Sequence, residues 1–144
     1  MRNGSGPPRT ASARARHTDQ WTETIFRAVS AKVAKRWRFV SFRGKSKGEW
    51  RGVVDVLAIR KDSAQPEIPS LKRGDLFEIV LIQMKGGSAR RPNMEERGRL
   101  RAVARRLRAN AVVLFEWDRG ILANFSVLGP GLQWKPSSCR QIFG

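Results

Sequence analysis

An α/β fold, with a central mixed sheet covered by helices on both faces, is predicted by three observations. Apolar residues recur at helical spacing in 20–37 and again in 92–109. Short runs rich in Val, Ile and Phe lie at 38–43, 49–60, 76–85 and 111–117, separated by turn residues. Two segments of those runs, 53–59 and 79–84, are apolar on nearly both alternating faces, the pattern of strands buried from both sides. The order is α-β-β-β-α-β.

The elements follow one by one. Residues 1–19 are small, polar and basic, and predict a disordered arm able to touch nucleic acid without sequence preference. The first helix carries Phe26, Val29, Val33 and Trp37 on one stripe, with Asp19 or Thr22 as its cap. RFVSFR (38–43) is a short strand, and Gly44-Lys-Ser-Lys-Gly48 a turn. The strand at 49–60 holds Asp55 within Gly-Val-Val-Asp-Val-Leu-Ala-Ile. Residues 61–75, with two prolines, form a long hairpin-type loop. The third strand closes on Gln83-Met84-Lys85 and stops at Gly86-Gly87. Pro92 sits near the first turn of the second helix, whose buried stripe is Leu100, Val103, Ala104 and Leu107. A fourth strand at 111–117 turns at 118–120 into an edge strand at 121–128. The tail, 129–144, is expected to be irregular, which leaves 20–128 as the folded domain.

Composition narrows the function. The chain has 144 residues, 40% of them hydrophobic, and five tryptophans, enough for one domain with a modest core. Lys and Arg number 29 against 12 Asp and Glu, a net charge of +17 that draws polyanions. No apolar run reaches the length of a bilayer-spanning helix, so no membrane partner is expected. A single cysteine, Cys139, fits a reducing, cytoplasmic setting. His17, the only histidine, lies in the basic arm, which excludes a His-based triad or zinc site. No glycine fingerprint for nucleotide binding is present.

One constellation carries chemistry. Strand side chains alternate with period two, so Gln83 and Lys85 share a face while Met84 points the other way. An acid on one strand opposite a polar-x-Lys pair on the next can hold a divalent cation beside a phosphate. Asp55, set among Val53, Leu57 and Ile59, needs a partner, and a metal ion or a nearby Lys or Arg would equally serve. Glu23, on the flank of the first helix's stripe, is the third candidate ligand, and favourable helix-dipole placement in the first turn is the alternative explanation, of nearly equal weight. Glu49 shares strand parity with Asp55 and stands in reserve, whereas Glu78 has the opposite parity to Gln83 and is excluded.

Arg97, Arg101, Arg105 and Arg108 form a ridge on the second helix, preceded by Arg90 and Arg91. With only Glu95 and Glu96 to balance it, the ridge is expected to track backbone phosphates. Lys45, Lys47 and Arg51 extend it around the first turn, beside Trp50, a residue that stacks on a base or packs at a strand edge.

At these residues the chain resembles the PD-(D/E)XK, or restriction-endonuclease-like, nuclease superfamily. That family has an αβββαβ core, an acid on the second strand, Glu-x-Lys or Gln-x-Lys on the third, and often a glutamate on the first helix. Asp55, Gln83 and Lys85 match the strand motif, and Glu23 the helical position. The run from LIQMK through RLRAVARRLRANAVVLFEW resembles archaeal-type Holliday junction resolvases, and Gln-x-Lys is similar to modification-dependent restriction enzymes. The resemblance covers roughly residues 20–128. It implies a Mg²⁺- or Mn²⁺-dependent endonuclease acting on DNA, favoured over RNA, including branched or recombination intermediates. The ligands would be Asp55, Gln83, Glu23 and the Met84 backbone carbonyl, with Lys85 orienting the attacking water. Products would be 5′-phosphate and 3′-hydroxyl ends. A homodimer and a specificity-conferring protein partner are both consistent with the family. Gln83 stands where a carboxylate is usual, and Mg²⁺ prefers carboxylates. A catalytically inactive nucleic-acid-binding module of the same fold is therefore the alternative.

Overall fold

A computed structural model describes residues 11–42, 52–87, 89–118 and 121–144. Helix α1 spans Ala11–Ser30, and strands β1 (Arg38–Ser41), β2 (Val56–Lys61) and β3 (Phe77–Gly86) follow. Then come α2 (Met94–Leu107), β4 (Ala111–Asp118), β5 (Ile121–Leu128), β6 (Trp134–Ser137) and α3 (Cys139–Phe143). The six strands form one sheet in chain order. All neighbouring pairs are antiparallel except β3 and β4, which run parallel and are joined by α2. A parallel pair needs such a crossover because a tight turn cannot return the chain to the same end. The class is α/β with a mixed sheet, and among the described residues no helix is long and apolar enough to cross a membrane.

Two cores lie on the two faces. On the α1 face, Phe26 of α1 packs on Val56, Ala58, Val80, Ile82, Met84, Val113 and Phe115. Phe26 meets Phe115 edge-on at 5.3 Å and Phe39 at 5.1 Å between ring centroids, the arrangement aromatic quadrupoles prefer. On the α2 face, Leu100 and Ala104 pack on Leu81, Val112 and Leu128. The alternation along β3 makes this division: Val80, Ile82 and Met84 go to one core, and Ile79 and Leu81 to the other.

Several expectations are corrected. Residues 1–10 of the expected arm lie outside the described residues, and 11–19 are helical, because Ala and Arg are strong helix formers and no Gly or Pro interrupts 11–30. The helix ends at Ser30, not Trp37: the Ser30 carbonyl accepts from both Val33 and Ala34 N–H groups in a tight turn. That turn lets Trp37 reach the core, where its indole N–H donates to the Phe143 carbonyl at 3.0 Å. The buried stripe of α1 is Thr22, Phe26 and Ser30, while Val29 is exposed. Leu107, expected in the α2 stripe, is exposed in its last turn.

The tail is not irregular. β6 completes the sheet, and α3 is capped by Ser138, whose Oγ accepts the Gln141 N–H. Phe143 is fully buried against Phe26, Phe39 and Trp37. β6 and Phe143 of α3 therefore join the sheet and the α1-face core beyond residue 128.

Candidate functional site

The site begins where β2 starts. The β2–β3 ladder opens at Val56 opposite Ile82, and Asp55 precedes it by one residue rather than lying inside the strand. Its backbone still continues the sheet: the Asp55 N–H donates to the Ile82 carbonyl, and its carbonyl accepts from Phe42. The carboxylate Oδ2 accepts the Met84 N–H at 2.7 Å. An ionised acceptor makes this a strong hydrogen bond. It also pins the acid against β3 at the level of Gln83.

Asp55, Gln83, Met84 and Lys85 line one cleft of about 310 Å³, closed by Gly52, Val53, Gly86, Ala89, Glu96 and Arg99. Gly87 follows the lining residue Gly86. Its φ of 63° lies in the left-handed region, which glycine adopts without the penalty a Cβ brings, and its N–H reaches the Trp117 carbonyl. The chain thus leaves β3 sharply, and α2 starts close by. Asn93 caps α2, its side chain accepting the Glu96 N–H at 2.9 Å. That cap sets the start of α2, from whose first two turns Glu96 and Arg99, three residues apart on one helical face, reach the cleft.

Gln83 is the unusual member. It is 5% exposed, and its side-chain oxygen Oε1 has no hydrogen-bond partner among the described residues. A buried carbonyl left unpaired costs about 1–3 kcal/mol, so such an atom marks either a destabilising fault or a ligand position. The donor set around it is two carboxylates and an amide oxygen, with Lys85 and Arg99 as cations. Hard oxygen donors of this kind suit Mg²⁺ or Mn²⁺. Among the described residues no group of three or more His, Cys, Asp and Glu could hold a metal ion. Any cation here would therefore depend on the amide of Gln83 beside the acids.

The other expected residues divide. Glu23 does not line the cleft. Its carboxylate accepts from Arg27 at 3.1 Å and from the Ser41 hydroxyl at 3.1 Å. Ser41 pairs with Val56, whose side chain lies in the α1 core, so Glu23 is held on the sheet face opposite Gln83. Met84 turns its side chain into that same α1 core. Glu78 pairs with Arg60, away from the cleft.

The arginine ridge is not continuous in role. Arg97 donates to the Leu132 carbonyl at 2.8 Å, and Arg101 to the Leu128 and Gly129 carbonyls at 2.9 and 3.0 Å. These contacts bind the β5–β6 turn to α2 through one guanidinium nitrogen of each arginine. Arg105 and Arg108 are exposed, as is Arg90. Arg91 forms a bidentate pair with Glu116, at 2.7 Å for the shortest contact. The Glu116 hydrogen bonds hold the Arg91 guanidinium above its ordinary pKa, against a smaller opposing effect of burial. Lys45, Lys47 and Arg51, with Glu49 and Trp50, lie outside the described residues.

Glu96 and Arg99 are the cleft residues that pattern reading missed. Their signal was present: an acid and a base at helical i, i+3 spacing in the first two turns of the helix after the Gln-x-Lys strand. No family model matches this chain, and no curated protein is similar to it.

Proposed function

We propose that the chain is a metal-dependent endonuclease that hydrolyses phosphodiester bonds of DNA, with this cleft as its active site. The observation that carries the reading is the buried, unpartnered Gln83 oxygen in a cleft that Asp55 and Lys85 also line, in a chain of charge +17. The element order α-β-β-β-α-β and the mixed sheet agree with the restriction-endonuclease-like resemblance drawn from the sequence.

Asp55 and the Gln83 side-chain oxygen would hold the cation, which when bound lowers the pKa of an attacking water and screens the phosphate. The Met84 amide keeps the Asp55 carboxylate in place, so the ligand is positioned before the cation arrives. Lys85 shares the face of Gln83 and supplies a proton donor and positive charge to the phosphate oxygens. Arg99, exposed at the cleft mouth, adds a second cation to bind the phosphate. Arg90, Arg105 and Arg108 are free of the turn contacts that occupy Arg97 and Arg101, and would bind flanking backbone phosphates.

The second reading is a nucleic-acid-binding module of the same fold without catalysis. It is favoured by one observation: the Asp55 carboxylate already serves the sheet by accepting the Met84 N–H. Incubation with supercoiled, linear, single-stranded and branched DNA, and with RNA, with and without Mg²⁺ or Mn²⁺, separates the two. The nuclease reading expects cation-dependent nicks with 5′-phosphate ends. Asp55→Asn, which keeps an acceptor for Met84 but removes the charge, should lower the rate by roughly 10³-fold, about 4 kcal/mol, while DNA binding persists. Wild-type binding without cleavage under every condition would leave the binding module.

A further inference from the structure

We infer that Glu96, in the first turn of α2, is the second carboxylate of the cation site, standing in for the negative charge that Gln83 does not bring. The inference rests on the nuclease reading and changes its ligand set, since that set otherwise contains Asp55 as its one charged member in the cleft.

Three observations support it. Glu96 lines the same cleft as Asp55 and Gln83, whereas Glu23 is engaged by Arg27 and Ser41 on the other face of the sheet. Gln83 is 5% exposed, its side-chain oxygen has no hydrogen-bond partner among the described residues, and it lines the cleft that the strand acid and the helix acid also line. Glu96 is loosely committed to its capping box. Its Oε1 is 3.5 Å from the Asn93 N–H, the outer limit of a hydrogen bond, while the reciprocal Asn93–Glu96 contact is a firm 2.9 Å. The helix start is thus secured by Asn93, and the Glu96 carboxylate can turn to a cation without uncapping α2.

Charge arithmetic makes the same point. A divalent cation held by one carboxylate and one amide, with Lys85 and Arg99 close by, would be poorly neutralised. A second carboxylate restores the balance that a Glu-x-Lys strand would have supplied. It also places that charge on α2 rather than β3. Cation binding would then couple the first turn of α2 to the β2–β3 strand pair.

The test is Mn²⁺ binding to the full chain, read by the loss of the free-ion paramagnetic resonance signal and independent of cleavage. Glu96→Gln retains a side chain that serves a capping box, so the fold is preserved. Glu96→Gln should weaken Mn²⁺ binding roughly tenfold or more, since affinity follows ligand charge. Glu95→Gln, an exposed neighbour outside the cleft, controls for general loss of negative charge and should leave binding unchanged. Wild-type affinity in Glu96→Gln, with binding lost in Asp55→Asn, overturns the Glu96 assignment and leaves the nuclease reading intact. Loss in Glu23→Gln but not in Glu96→Gln does the same. If the wild type binds no Mn²⁺, with or without duplex DNA, both fail.

Discussion

The two faces of the sheet solve different problems with the same strands. On the α1 side the strands present Ile82, Met84, Val113 and Phe115 to Phe26, and the layer is closed by Trp37, Phe39, Phe125 and Phe143. On the α2 side the packing of Leu81, Leu100, Ala104 and Val112 gives way, at the end of β3, to Gln83 and Lys85. One face is filled with apolar side chains. The other gives up packing at its end, where Gln83 lines a cleft with its side-chain oxygen unpartnered; on the first face the buried Ser30 hydroxyl also has no partner among the described residues. Stability should therefore be concentrated on the first face and chemistry on the second.

Removing Phe26 is the severest test of that division. Phe26→Ala should cost about 3–5 kcal/mol in urea unfolding, because it empties the centre of a cluster of four aromatic neighbours. A loss under about 1 kcal/mol would show that the α1 face is not the dominant core. The turn-binding arginines come next. Arg101→Ala should destabilise by about 2 kcal/mol, since two backbone carbonyls lose a charged donor. Its effect on the salt dependence of DNA binding should be small, and a fall in slope would return it to the phosphate-binding set.

The cleft face should behave oppositely. Gln83→Leu removes the orphaned oxygen and should raise stability by about 1 kcal/mol while abolishing cation binding. If it destabilises instead, the Gln83 amide is structural. Gln83→Glu should retain or raise cleavage and lower the Mg²⁺ concentration required. Loss of activity in a folded Gln83→Glu variant would give the amide a specific role. Smallest in stability is the double change Arg105→Ala with Arg108→Ala. Both side chains are exposed, so the melting temperature should barely move. The slope of log Kd against log salt should flatten by roughly two on two unrelated duplexes. An unchanged slope would make these arginines a solvated face.

Much of the architecture was legible because hydrophobic period is a local signal. The runs at 79–84 and 111–117 are continuous enough that only buried strands fit them, and Asn93-Met-Glu-Glu96 after Pro92 marks a helix start. The misses share a cause. Phe143 sits in a short tail with two prolines nearby, and nothing local says that it fills the gap between Phe26 and Trp37. Ser138 with Gln141 three residues on was a readable cap, but a five-residue helix is too short to show a period. Arg97 and Arg101 were grouped with Arg105 and Arg108 because spacing on a helix records direction, not what lies opposite.

By itself the sequence determined the α/β class, the order of the elements, the shared face of Gln83 and Lys85, and the positive charge that draws polyanions. These follow from side-chain alternation, helical period and net charge, which need no knowledge of distant neighbours. Tertiary structure alone decided which acids meet. Glu23, the expected ligand, and Glu96, which the sequence pattern did not single out, each lie on a helix flanking the same sheet. The parallel β3–α2–β4 crossover carries Glu96 to the face and end of β3 where Gln83 emerges, while the register of β1 against β2 leaves Glu23 beside Ser41 on the other side.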